Sequence, residues 1–389
     1  MEKKLVFVGG ARTPFTKYGS FFKGLSATDL GVFASIEALK RSQVNPGDIG
    51  HVVFGNALQT SVDAIYLARH VGLRSGAPVP TPAVTVNRLC GSGFQAIVDG
   101  AKHLLLDEAE FVLVGGTESM SQAPHVIRGA RWGLPLGKGK LEDLLWEALN
   151  DPLAGCNMAL TAENLADLNK ITRKECDEYA LLSQQRAKAA IESGKLAEEI
   201  VPVKIKDKIV DRDEHPRFDA TIEGLSQLPP YFKENGTVTA GNASGVCDGA
   251  AALVMTTEEN AKNRKLPILG RLVSWGFAGV DPKIMGIGPV DSSKAALKKA
   301  GLTLEQMDRV EVNEAFAPQY LAVEKVLGLD RNKTNVNGGA ISLGHPLGAT
   351  GARLTLTILH ELKRSKKHYG LATACIGGGQ GMAVIVEAM

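Results

Sequence analysis

The chain has 389 residues, 44% of them hydrophobic, with 44 basic against 42 acidic side chains and a formal net charge of +2. That length predicts two or three domains of roughly 150 residues each. Balanced charge, a pI of 8.2 and no basic stripe exclude a nucleic-acid binder that works through its bulk field.

Five cysteines (Cys90, Cys156, Cys176, Cys247 and Cys375) are widely spaced and odd in number. They make neither a disulfide framework nor a C-x-x-C zinc site, so no metal is expected. The start, "MEKKLVFVGGARTPF", has too short an apolar stretch for a signal peptide and predicts a first β-strand. No apolar run approaches the roughly 20 residues of a membrane helix. A soluble, cytoplasmic protein without membrane insertion is expected.

Along the chain, "EALKRSQVNPGDIGHVVFGNA" (37–57) resembles "AALKKAGLTLEQMDRVEVNEA" (295–315), with Leu39 and Leu297 lying 258 apart. The same offset superposes "FVLVGGTES" (111–119) on "YGLATACIGG" (369–378), and Gly93 on Gly351. "TVN" (85–87) matches "NVN" (335–337), leaving about eight extra residues after the second copy, around "GGAISLGHPLGATG". Two duplicated α/β halves follow, with helices layered against short buried strands. Residues 120–246 have no counterpart in the second half and predict an inserted loop domain, a cap or an assembly surface. Its one clear helix starts at the capping box Thr172 to Glu175 and runs to Gly194, with Cys176 in its core face. The expected division is 1–119, completed by 247–268, for the first half, 120–246 for the insertion, and 269–389 for the second half.

Four places carry chemistry. In "NRLCGSGF" Cys90 stands between a strand and a helix, where the helix start would lower its pKa and Gly91 and Gly93 would admit a substrate. His345 in "GHP" is pinned by proline among glycines and could take the cysteine's proton. Cys375 ends a strand before the glycine turn "GGGQG", which points its thiol and several N–H groups at one spot or serves the backbone alone. Asn313 in "VEVNEAFAPQ" is either a helix N-cap or holds a water against a substrate oxygen.

Together "ARTPF", "NRLCGSGF", "GGTESMS", "TAEN", "GTVTAGNASGVCDGAAA", "VNEAFAP", "NVNGGAISLGHPLGATG" and "CIGGGQG" resemble the thiolase family over the whole chain. The resemblance implies an α/β thiolase fold, a duplicated five-layered α-β-α-β-α core with an inserted loop domain. It implies that Cys90 carries the acyl group, that His345 activates it, and that Cys375 is the acid/base. Asn313 with His345 would form one oxyanion hole, and the backbone amides of Cys90 and Gly377 the other. Coenzyme A would be substrate rather than a bound cofactor, with Ser244 near its pantetheine, Met158 at the acyl pocket and Arg217 near the nucleotide. Asn157 stands where short-chain biosynthetic members have histidine, which tilts the expectation to CoA-dependent cleavage of 3-ketoacyl-CoA in fatty acid β-oxidation. Condensation of two acetyl-CoA is the alternative. Three rivals remain: a condensing ketosynthase, disfavoured by Cys375 and Asn313; a cysteine hydrolase, which would use Cys90 and His345 and release free acid; and a non-catalytic lipid-binding member, which would lack a reactive residue where none is missing. The family also implies a homo-oligomer, here a tetramer joined through the insertion bearing Trp132 and Trp146. The mitochondrial matrix is the alternative location.

Overall fold

The computed structural model describes residues 3–389. The first strand, β1 (Leu5–Arg12), is buried along its whole length, as a strand covered on both faces must be. Helix α1 (Ala27–Ser42) follows, closed at its start by a reciprocal capping box between Ser26 and Asp29. Then come β2 (His51–Gly55), β3 (Ala83–Val86), α2 (Ser92–Leu105) and β4 (Phe111–Ser119). The insertion holds α3 (Met158–Asn169) and α4 (Arg173–Glu192), after which β5 (Cys247–Thr257) pairs with both β1 and β4. The second half is β6 (Gly270–Gly279), α5 (Gly288–Ala300), β7 (Arg309–Val312), α6 (Ala317–Leu327), α7 (Leu347–Ser365), β8 (Tyr369–Ile376) and β9 (Gln380–Glu387).

The two halves repeat one strand order. The first runs β3-β2-β4-β5-β1 and the second β7-β8-β9-β6, joined where Leu5–Phe7 pairs with Gly270–Leu272. The missing counterpart of β3 is a single bridge: Val310 pairs in parallel with Thr334, as Val52 does with Ala83. The "TVN" and "NVN" stretches are therefore equivalent in space. The extra residues after them form the one-turn helix Ala340–Leu343 and the loop bearing His345.

Side-chain alternation sorts each strand into layers. On β4, Val112 and Val114 face the centre of the molecule while Phe111 and Leu113 face α1. On β8, Ala372 and Ala374 face the centre and Leu371 faces outward to α5 and α6. Helices α2 and α7 fill the space between, through Phe94, Ile97, Leu354 and Ile358. Three apolar clusters, the central one lying on both sides of α2 and α7, thus fill the four interfaces between five layers of secondary structure, α-β-α-β-α. Helix α4 has the capping box expected at Thr172 and Glu175, ends at Glu192, and buries Cys176. The insertion is fastened to β1 by buried Arg12, which donates to Asp213 at 2.6 and 2.7 Å and to Glu199 at 2.7 Å.

Candidate active site

Between β3 and α2 the chain makes one tight turn, Leu89–Gly91. Leu89 has φ 47°, a left-handed conformation that its Cβ makes costly and that neighbours must hold. Its N–H donates to Asn87 Oδ1 at 2.9 Å, and Ser92 Oγ donates to its carbonyl at 2.7 Å. This braced turn leaves Cys90 partly exposed at a cavity wall. The N–H groups of Gly377 and of Cys90 itself both reach the Cys90 sulfur.

Two expectations for this motif are corrected. Burial pushes the Cys90 thiol up to about 11, with Glu118 adding to the rise and the two amides opposing it. Burial outweighs the helix start, so Cys90 rests as a thiol rather than as a low-pKa thiolate. Nor do the glycines make room for substrate. A Cβ on Gly91 would fall 2.4 Å from Ile376 Cδ1, and one on Gly93 2.5 Å from Ala352 N. They permit close packing of the two halves.

His345 is placed by the turn before α7. Gly344 takes φ 100°, where a Cβ would also fall 2.6 Å from Cys247 Sγ, and His345 N–H donates to Gly245 O at 3.1 Å. The ring is buried, with Nδ1 2.6 Å from Thr350 Oγ1 and Nε2 3.3 Å from Asn313 Nδ2. Burial, and then the Arg353 charge, push its pKa down to about 3, so the imidazole is neutral at rest. Asn313 is not the N-cap of α6, since that position is Phe316. It lies at the end of β7, fully buried, with Oδ1 unpartnered.

Strands β8 and β9 pair up to Ile376 and Gln380, so the turn is Gly377–Gly379, with Gly378 at φ 80° and Gly379 at φ 82°. Gln380 belongs to β9 and accepts from Arg88 Nη1 at 2.8 Å, tying the turn to the Cys90 loop. Cys375 is fully buried beside Met285, Ala315, Met158 and Phe316. Its thiol is pushed up, chiefly by burial and secondly by nearby Cys90.

These elements surround one apolar cavity of about 160 Å³ lined by Cys90, His345, Met158, Ser244, Asn157, Met120, Trp146 and Phe316, among others. Cys375 packs directly behind that wall, and the Gly377 backbone touches it, since a Cβ there would lie 3.3 Å from Met158 Sδ. Arg217 is outside the lining and exposed. Its segment still borders the cavity, because His215 abuts Gly245 closely enough that a Cβ there would clash at 1.7 Å. A larger groove of about 980 Å³, between Phe21, Lys208 and Phe218, contains none of these residues. Among the described residues no cluster of His, Cys, Asp and Glu is arranged for a metal, and no helix is long and apolar enough to cross a membrane.

Sequence reasoning missed three residues. Trp146, expected at an assembly surface, also lines the cavity. Thr350 holds the far side of the His345 ring, a contact that its position one turn into the following helix could have suggested. Glu118, on buried β4, accepts from Asn56 Nδ2 at 2.8 Å, Ala57 N at 3.0 Å, Leu58 N at 3.0 Å and Gly348 N at 2.8 Å. Burial pushes its pKa up to about 7, yet four N–H donors on two oxygens suit only the carboxylate. It joins the first half to the helix that follows His345. A carboxylate inside the apolar run "FVLVGGTES" was the available signal.

A duplicated five-layered fold, with a thiol, a buried histidine and a second thiol meeting where the halves join, defines the class. Residues 5–259 match the thiolase N-terminal domain and residues 266–388 the thiolase C-terminal domain, so the chain belongs to the thiolase family. It is 56% identical to the mitochondrial 3-ketoacyl-CoA thiolase of Homo sapiens, over 98% of each chain. The crystal structure of the human mitochondrial 3-ketoacyl-CoA thiolase in complex with CoA superposes with a TM-score of 0.98 at 55% identity, covering 100% of this chain and 98% of that one. An acetyl-CoA acetyltransferase of Pseudomonas aeruginosa is 45% identical over 98% of each chain.

Proposed function

We propose that this protein is an acyltransferase that cleaves 3-ketoacyl-CoA with coenzyme A, giving acetyl-CoA and a shortened acyl-CoA. One observation carries the reading: Cys90 and His345 open on the same apolar cavity, with the Gly377 amide directed at the Cys90 sulfur. The full-length likeness to 3-ketoacyl-CoA thiolases supports it.

In this reading Cys90 Sγ attacks the 3-keto carbon as His345 Nε2 accepts the thiol proton. The amides of Cys90 and Gly377 hold the developing alkoxide. The C2–C3 bond breaks, and its electron pair passes to the acetyl-CoA fragment as a carbanion. Asn313 and His345 hold the thioester oxygen of that carbanion while Cys375 gives its proton to the carbon. Acetyl-CoA leaves and CoA enters; the CoA thiol returns a proton to Cys375 and attacks the acyl-Cys90 carbonyl. Release of acyl-CoA returns the His345 proton to Cys90. The resting thiol and neutral imidazole fit this sequence, because the proton moves only as the carbon–sulfur bond forms.

Ser244 and Met158 would line the pantetheine and acyl paths, and exposed Arg217 would meet the nucleotide at the rim. Asn157 on the cavity wall supports a site for longer acyl chains. The chain acts as a homotetramer in this reading, through the exposed loop carrying Trp132, Leu134 and Leu136. The relatives named mitochondrial support a matrix location over the cytoplasmic one. The test is CoA-dependent loss of 3-ketoacyl-CoA with acetyl-CoA as product. Release of free 3-keto acid or fatty acid without CoA would instead make Cys90 and His345 a hydrolase pair.

A further inference from the structure

We propose that Arg88 is a positioning residue that sets the spacing between the two amides of the Cys90–Gly377 oxyanion hole. The inference rests on the reading that Cys90 is acylated and that those amides hold its alkoxide. The hole is split between the halves: one N–H belongs to the turn before α2, the other to the turn between β8 and β9. Neither turn is regular. Leu89 has φ 47°, and Gly378 and Gly379 have φ 80° and 82°. Two N–H groups stabilise one oxygen only when each lies about 2.7–3.1 Å from it, so something must fix one turn against the other.

Arg88, two residues before Cys90, spans the joint. Its Nη1 donates to Gln380 Oε1 at 2.8 Å, three residues past Gly377, and its Nε donates to Gln95 Oε1 at 2.8 Å on α2. Gln95 is oriented in turn, because its Nε2 donates to Asp99 Oδ2 at 2.8 Å. The guanidinium also lies 5.0 Å from the ring centre of Phe277 on β6, which pairs with Met382 of β9. The Arg88 backbone N–H donates to Ser92 Oγ at 2.8 Å, so main chain and side chain are both fixed.

The kind of partner says what the side chain is for. A cation placed for its charge would meet a carboxylate, whereas this one meets two amide oxygens and an aromatic face. A planar fork with donors at fixed angles suits holding two separate oxygens at a set spacing, which a single ammonium does not. Gln380 is firmly seated to receive it. A Cβ on Gly288 would fall 2.2 Å from Gln380 O, so the backbone there rests on the start of α5. The clamp therefore joins the nucleophile's turn to a strand end that has little room to shift.

The experiment takes Arg88→Met and Gln380→Leu, singly and together, and follows two reactions of Cys90. Acetylation by acetyl-CoA in a single turnover passes through an alkoxide; alkylation by iodoacetamide, a displacement at saturated carbon, does not. Each single variant should acetylate roughly tenfold to hundredfold more slowly, as for a misplaced oxyanion donor. Alkylation should stay within about threefold of the parent, since no oxyanion develops. The double variant should be no slower than Arg88→Met, because both changes break one clamp. Should Arg88→Met not fold, Gln380→Leu carries the comparison beside a thermal unfolding scan. Parental acetylation rates in the folded variants overturn the proposal. Alkylation that falls in step with acetylation overturns it too, since the whole site is then disturbed, as do losses that multiply in the double variant. A parent protein that never acetylates Cys90 overturns the underlying reading, and this proposal with it.

Discussion

Gly93 and Gly351, 258 residues apart and equivalent in the two halves, meet backbone to backbone where α2 crosses α7. A Cβ on Gly93 would fall 2.5 Å from Ala352 N, and one on Gly351 2.2 Å from Phe94 N. This contact brings the Cys90 helix and the helix after His345 close enough to share a site. Gly93→Ala or Gly351→Ala should cost about 3 kcal/mol, because helix backbone cannot yield as a flexible side chain does. Urea unfolding measures it. A midpoint unchanged in both variants would show that the crossing has slack.

Cys375→Ala should still become acetylated on Cys90 by acetyl-CoA, yet cleave 3-ketoacyl-CoA at least about a hundredfold more slowly, as for a missing general acid. Cys90→Ala should fail at both. Intact-protein mass spectrometry beside a cleavage assay reads the outcome. Normal cleavage by Cys375→Ala would reduce that residue to a packed thiol beside the turn.

Glu118→Gln replaces an acceptor that meets four N–H donors with a group that must turn an NH₂ toward at least one of them. The expected loss is about 2 kcal/mol. Catalysis should fall too, since the carboxylate ties Gly348 to the loop 56–58. A fully stable, fully active variant would mean that Glu118 is protonated in the native protein.

His345 gives the stability a sign with pH. Its pKa is pushed from 6.5 down to about 3 in the folded chain, so between those values the unfolded chain binds the extra proton. Stability present above about pH 6.5 is therefore lost as pH falls, by roughly 1.4 kcal/mol per unit from this group. His215, pushed down to about 4, acts in the same direction. Denaturant titrations between pH 7 and 5 should show a shallower acid slope for His345→Asn than for the parent. Equal slopes would place the lost stability elsewhere.

Light scattering should give about four times the chain mass of 41.2 kDa. Replacing the exposed Trp132 and Leu136 with serine should lower that mass to a dimer's without unfolding the chain. A mass of one chain for the parent would end the oligomer proposal.

The sequence by itself determined the duplication, because one 258-residue offset recurs in helix, strand and glycine, and because the motifs around Cys90, Asn313, His345 and Cys375 are local strings. Capping at Thr172 and Glu175, and burial of Cys176, were likewise local, set by side chains one helical turn apart. What those strings could not carry was environment. Cys90 stands at a helix start, which argues for a low pKa, and only the tertiary surroundings showed that burial wins. Gly91 and Gly93 read as room for a ligand until Ile376 and α7 were found occupying it. Asn313 read equally as a cap, and only the fold turned its amide to His345. Glu118 and Thr350 owe their roles to partners across the joint between halves or across a turn of helix. Solvation and long-range hydrogen bonding depend on which distant segments arrive at the same point, and that point exists only once the two halves have packed.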